Sequence, residues 1–272
     1  MMETSRLTGN RIIQYLKEGK RFDGRKPDEF REIKIETNIS NKAEGSARIR
    51  IGKTEVLVGV KLDVMEPYPD SPDKGNLIVT SELLPLSSVR FEAGPPKFPS
   101  IEIGRLVDRA IRESKFIEME KLCIKSGEKV WGVFIDIYSI NDDGNLIDAA
   151  GIGTLVALRN ARFPEYDEKS GVVIYGKLTN KKIPLSKEIP IITTINKIGD
   201  NFVVDPTLEE EDVNETRITI GGSIEGTIFS MQKGNSKEIT IDEMYKILEL
   251  AEKTRMDLYL KIKDYIEEDG KK

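Results

Sequence analysis

The stretch VWGVFIDIYSI, Val130–Ile140, constrains the fold more than any other part of the chain. Its β-branched and aromatic residues read as a strand. Trp131, Val133, Ile135 and Ile137 lie on one parity and Phe134 and Tyr138 on the other, so at least partial cover is expected on both faces. Asn141-Asp142-Asp143-Gly144 then turns the chain, and Leu146–Leu158 reads as a helix. That helix is rich in small residues (Ala149, Ala150, Gly151, Gly153, Ala157), which predicts close packing against its neighbours. Such a strand and helix need layers around them.

The flanking sequence supplies those layers. A short helix is expected from a Thr8 cap through Lys17, with Ile12, Ile13 and Leu16 inward and Gly19 ending it. Strands are predicted over Arg31–Glu36, Gly45–Ile51, Thr54–Asp63 and Asn76–Leu84, forming an antiparallel meander of four. After the break at Gly94-Pro95-Pro96, Ser100–Lys115 has helical periodicity. Ile103, Leu106, Val107, Ala110, Ile111 and Ser114 share one side. A polar connection with one short strand, Val172–Tyr175, leads to strands over Ile189–Lys197, Asn201–Val204, Glu215–Ile220 and Thr227–Gln232. A terminal helix over Asp242–Glu267 turns Met244, Leu248, Ala251, Leu258 and Ile262 inward. Strands followed by a helix occur twice, which favours a duplicated α+β architecture over an alternating parallel sheet.

The composition narrows the chemistry. The 272 residues are 38% hydrophobic and 33% charged, with net charge -5, so a nucleic-acid contact must be a local basic patch. There is no histidine, which removes imidazole bases and the commonest zinc ligand. The single cysteine, Cys123, excludes an intrachain disulfide and fits a reducing compartment. Core packing is the expected role of both Cys123 and Trp131. The first twenty residues hold no long apolar run, so a soluble, cytoplasmic protein is expected.

On the helix Ser100–Lys115, Arg105, Arg109 and Arg112 sit at i, i+4 and i+7, opposite the apolar stripe. Three guanidiniums on one face suit phosphate. Glu102, Asp108 and Glu113 flank them at ion-pair spacings, and a solvated, salt-bridged surface is the competing account.

Several strings carry a resemblance when taken in order: RFDGRKPDEFREIKIE, GSARIRIGKTEVLVGVK, GNLIVTSELLPL, FEAGPP, IEIGRLVDRAIRESK, VWGVFIDIYSINDDGNLIDAAGIGTLVAL and FVVDPTLEEED. They resemble the RNase PH-like family, and within it the non-catalytic ring subunit of the archaeal exosome. The resemblance implies an α+β RNase PH-like fold with duplicated βαβ-type halves, of the ribosomal protein S5 domain 2-like kind. It places an N-terminal helix at 1–20, a first half at 21–165 and a second at 166–272. It also implies a hexameric ring of three heterodimers with a catalytic RNase PH-like subunit, joined by RNA-binding cap subunits. Such a ring degrades single-stranded RNA from its 3′ end by phosphorolysis; no membrane, cofactor or resident metal is expected.

Catalytic members of the family carry a Gly-Thr/Ser-Arg element that holds inorganic phosphate at a helix N-terminus. The matching positions here are Asn145, Leu146 and Ile147, and neither leucine nor isoleucine can bind an anion. Catalytic members also carry two aspartates six residues apart. Here the first matches Asp205, but the second position is Glu211, with Asp212 beside it. The expected catalytic set is therefore empty. Arg105 and Arg109 match positions through which the inactive subunit contacts the RNA backbone beside its neighbour's active site. Two alternatives stand beside this reading: a phosphorolytic enzyme using Asp205 with Glu211 or Asp212, and a purely structural ring component.

Overall fold

The computed structural model describes residues 4–168 and 170–267. Helix α1 (Arg6–Lys17) is capped by Ser5, whose hydroxyl accepts from the Thr8 amide; Thr8 itself lies inside the first turn. The cap thus falls three residues before the expected one, because Ser5 is the residue with extended backbone. Strands β1 (Ile33–Thr37), β2 (Gly45–Ile51), β3 (Thr54–Met65) and β4 (Asn76–Leu83) follow. Helix α2 (Phe98–Glu113) begins one residue before Pro99, which sits within the first turn where its missing N–H costs nothing. A single 3₁₀ turn leads to β5 (Cys123–Lys125) and the long β6 (Lys129–Asn141), then helix α3 (Leu146–Asn160).

The first sheet runs β1-β2-β3-β6-β4, with β5 paired to β6. This corrects the four-stranded meander. Strand β4 pairs in parallel with β6 and not with β3, and β6 lies between the two, antiparallel to β3. The polar loop after β3 carries the chain across, and β6, the most apolar strand, takes the central position where its backbone bonds on both edges. Both faces of β6 are at least partly covered, one more fully than the other. Val133, Ile135 and Ile137 are buried, whereas Phe134 and Tyr138 are half-buried.

The polar connection after α3 contains a full hairpin, β7 (Arg162–Asp167) and β8 (Val172–Lys182). Phe163 and Tyr166 of β7 meet the Trp131 ring edge-on, with centroids 5.1 and 5.7 Å away. Trp131 therefore packs at the margin of the core and stays half-buried, and Cys123 is also half-buried at the start of β5. Neither is the core residue expected.

The second sheet orders β10 (Asn201–Val204), β9 (Ile191–Ile198), β11 (Thr216–Gly222) and β12 (Ile228–Gly234), all antiparallel. A five-residue helix, α4 (Leu208–Asp212), follows β10, and α5 (Ile241–Ile266) ends the fold. Helices α2 and α3 fill the space between the two sheets, and α5 covers the outer face of the second. Strand β9 is buried along its whole length for that reason. On α5, Ala251, Leu258 and Ile262 are buried with Ile247, while Met244 and Leu248 pack at the rim. No helix among the described residues is long and apolar enough to cross a membrane.

The small residues of α3 are explained by this sandwich. A Cβ on Gly153 would lie 2.6 Å from Val58 Cγ2 and 3.2 Å from Ile49 Cγ1 on the first sheet. A Cβ on Gly151 would meet Ile192 of the second sheet at 3.0 Å. Gly153→Ala should therefore lower stability by about 1–3 kcal/mol through overpacking against stiff β-branched side chains, although alanine is the better helix former. Urea denaturation checks this, and an unchanged or raised midpoint would show that the two layers can move apart.

Candidate functional site

The two positions that the family resemblance matches to catalytic elements come together at the N-terminus of α3. Asp205 ends β10 in a left-handed conformation (φ 44°) and is fully buried. Five donors surround its carboxylate. Oδ1 accepts from Arg31 Nη2 at 2.7 Å and Asn145 Nδ2 at 2.8 Å. Oδ2 accepts from Arg25 Nη1 and the Arg31 amide, each at 2.8 Å, and from Arg31 Nε at 2.9 Å. Burial opposes ionisation, but the guanidinium of Arg31, its backbone N–H and the charge of Arg25 outweigh it and hold the Asp205 carboxyl below its ordinary range. A carboxylate so enclosed has no free lone pair for a proton or a metal. Asp205 is the centre of a structural clasp, more than the simple turn its Asp-Pro sequence predicts.

Arg21 completes the clasp. It pairs with Glu210 of α4, Nε to Oε1 at 2.9 Å, and caps the carbonyls of Val204 and Asp205 at 3.0 and 2.7 Å. Glu210 also closes a capping box with Thr207, which explains why so short a helix forms. Sequence reading assigned no role to Arg21, Arg25 or Arg31. Their only local signal was the density of arginine around the Asp23-Gly24 turn.

The remaining acids take other roles. Asp212 receives Arg90 through both Nη atoms, at 3.0 and 2.8 Å, and the Thr4 hydroxyl at 2.7 Å. Glu211 points to the start of α3, where its Oε1 accepts from the Asn145 amide at 2.7 Å. The chain thus places its own carboxylate at the helix N-terminus, the position suited to an external anion. Burial pushes Glu211 up to about 7, against the stabilising Asn145 amide. Leu146 and Ile147 contribute apolar wall to an adjoining cleft of about 800 Å³.

One turn along α3, Asp148 is fully buried and accepts from the Thr194 hydroxyl at 2.8 Å. Burial drives its carboxyl up to about 8, although Thr194 favours the charged form.

Arg105 and Arg109 occupy the exposed ridge of α2, and neither is among the residues lining this cleft. Neither makes an ion pair among the described residues. Two of the three flanking acids are engaged elsewhere. Glu102 binds Arg217 of β11 at 2.5 Å, and Asp108 pairs with Arg112 at 2.6 Å. Arg112 also donates to the Leu77 carbonyl at 3.1 Å, so it belongs to the fold. Two of the three arginines remain unpaired in solvent. No group of three or more acidic or cysteine side chains among the described residues is arranged to hold a metal.

Removing the hub should be costly: Asp205→Ala strands two largely buried guanidiniums and is expected to lose about 3–5 kcal/mol in chemical denaturation. Asp148 makes a prediction about pH. Its folded carboxyl binds its proton far more tightly than the unfolded one, so stability falls as pH rises from about 4 to 8. Asp148→Asn keeps an acceptor for Thr194 and removes that titration. The fall in thermal midpoint between pH 5 and 9 should shrink in the variant, and an identical fall would exclude Asp148 as its source.

Comparison with known proteins agrees with this geometry. Residues 29–164 match domain 1 of the 3′ exoribonuclease family (RNase PH), and residues 188–254 match domain 2. Exosome complex component Rrp42 of Methanothermobacter thermautotrophicus is 44% identical over 90% of this chain and 90% of its own. The protein of the same description from Thermococcus onnurineus is 47% identical over 88% of each. Among solved structures, a chain of the Archaeoglobus fulgidus exosome with RNA bound to the active site superposes with a TM-score of 0.86 at 38% identity, over 93% of this chain and 97% of that one. A chain from an archaeal exosome core gives 0.82 at 36% identity, over 95% and 96%. With both domains matched in order and relatives aligned along nearly the whole length, the chain belongs to the RNase PH family of 3′ exoribonucleases.

Proposed function

We propose that this chain is a non-catalytic ring subunit of an archaeal-type exosome, a phosphorolytic machine that degrades RNA from its 3′ end. In this reading it assembles with a catalytic RNase PH-like partner as three heterodimers, beneath RNA-binding cap subunits. It shapes the partner's active site and holds single-stranded RNA by its phosphates through Arg105 and Arg109. The observation that carries the reading is the filled N-terminus of α3. Where phosphate would bind, the Glu211 carboxylate already accepts from Asn145, and Leu146 and Ile147 supply no donor. A second anion there would be repelled and unsolvated.

The arginines support the other half of the proposal. Because α2 buries Ile103, Leu106, Val107, Ala110 and Ile111, its opposite ridge is rigidly presented. Glu102 and Asp108 are held by Arg217 and Arg112, so Arg105 and Arg109 are left to act outside the chain. Two exposed guanidiniums one turn apart can grip backbone phosphates without reading bases.

The isolated chain should release no nucleoside diphosphate from RNA at any phosphate concentration; phosphorolysis by the pure chain would refute the proposal. In the assembled complex, Arg105→Glu with Arg109→Glu should weaken RNA binding and slow degradation while the ring stays intact. Each lost phosphate contact should flatten the log–log salt dependence of binding by about 0.7. Arg112→Glu is the comparison and should do less. Wild-type RNA affinity of the double variant across the salt series would assign these arginines to surface solubility alone.

A further inference from the structure

The cleft beside α3 has a charge balance opposite to that of a phosphate site. Each of its cations is already used: Arg90 by Asp212, Lys97 by Glu92 and Arg217 by Glu102. Its remaining acids, Glu82, Asp142 and Glu211, have no ion pair among the described residues. The hydrogen bonds they do receive come from backbone, Gly144 to Asp142 at 3.2 Å and Asn145 to Glu211. Three carboxylates without a direct ion pair therefore face a cleft walled by Leu83, Phe91, Leu146 and Ile147. Burial raises both Asp142 and Glu211, against the longer-range pull of Arg31 on each, of Arg90 on Asp142 and of Arg217 on Glu211.

A second observation is independent of these charges. Asn196 of β9 lines the same cleft, is 1% exposed, and its Oδ1 accepts from Asn214 Nδ2 at 2.7 Å. Its own Nδ2 has no partner. A buried donor left unmade is costly, and it marks a place for an incoming acceptor. The cleft thus offers anionic groups for a cation, an apolar wall for an aliphatic stem, and an amide for a carbonyl. Inorganic phosphate and nucleotides fail the first condition, and a bare polyamine fails the third.

We propose that this cleft docks a basic segment of a partner protein, a lysine or arginine side chain reaching Glu211 and Asp142 while a backbone carbonyl accepts from Asn196. The long aliphatic stem of such a residue packs on Leu146 and Ile147 while its head stays paired. The substitutions that ended phosphate binding are, on this account, the ones that made the new site. The proposal does not depend on RNA contact by Arg105 and Arg109, which lie outside the cleft.

The test uses the full chain at pH 8, where Glu211 is ionised, and a fluorescein-labelled heptapeptide with two lysines among leucine and alanine. Anisotropy should show saturable binding that weakens with salt. The same peptide with glutamate for lysine should not bind. Glu211→Gln with Asp142→Asn keeps the oxygens that accept from Asn145 and Gly144, and should weaken binding about tenfold or more. Arg105→Glu with Arg109→Glu should leave it unchanged, which separates this result from the RNA test. Methyl NMR of the unmodified chain, which needs no variant to fold, should place the largest shifts at Leu146 and Ile147. Equal affinity for the acidic peptide, undiminished binding by the Gln/Asn variant, or methyl shifts confined to another surface would each overturn the proposal. So would spermidine binding as tightly as the peptide, or inorganic phosphate shifting the same methyl groups.

Discussion

The five-donor clasp on the Asp205 carboxylate joins segments that are far apart in sequence. Arg25 and Arg31 come from the stretch between α1 and β1, Asn145 from the start of α3, and Asp205 from the end of β10. One side chain therefore ties the entry segment, the first half and the second half at a single point. Its energy depends on geometry. A buried ion pair stabilises only when hydrogen bonds replace most of the water each charge has lost, and here every carboxylate lone pair is used. Arg21 and Glu210 extend the same logic to α4, whose five residues would not persist alone.

That clasp also determines what the neighbouring helix terminus can do. With Asn145 held in a left-handed conformation by its side-chain bond to Asp205, its amide is directed at Glu211. A helix N-terminus accepts a phosphate or a carboxylate equally well in principle, since both answer the same unpaired N–H groups and dipole. Once an internal carboxylate is anchored there, the site is closed to anions. The adjoining cleft is lined by more acidic than basic side chains, and its chemistry is set by residues other than those that set the fold.

The acidic surplus of the chain as a whole and the exposed arginines of α2 are compatible because electrostatics act locally. At physiological salt the Debye length is about 8 Å, so two unpaired guanidiniums on a ridge are seen by a phosphate before the net charge of the molecule is. Pairing decides which arginines count. Arg105, Arg109 and Arg112 are alike in sequence, yet Arg112 is held by Asp108 and the Leu77 carbonyl, and the other two are free to meet a ligand.

By itself the sequence determined the elements whose periodicity follows from burial. The inward faces of α2 and α5, the exact span of β2, and the strand nature of β6 with its small-residue helix after it could all be read directly. The order of the quoted motifs named the family. Leu146 and Ile147 predict that no side chain there holds a phosphate, because an aliphatic side chain offers no donor. Only the tertiary structure decided that β6 lies between β3 and β4, since pairing partners are chosen by packing across the sheet and leave no mark on a strand's own alternation. Of the β7–β8 hairpin only the apolar run Val172–Tyr175 could be read as a strand, because most of its other residues are polar and exposed and only a few, such as Phe163 and Val173, are buried. The roles of Asp205 and Glu211 were likewise undetermined. A carboxylate six residues from another looks the same whether it faces substrate or two arginines, and the donors that settle the matter come from residues 60 to 180 positions away.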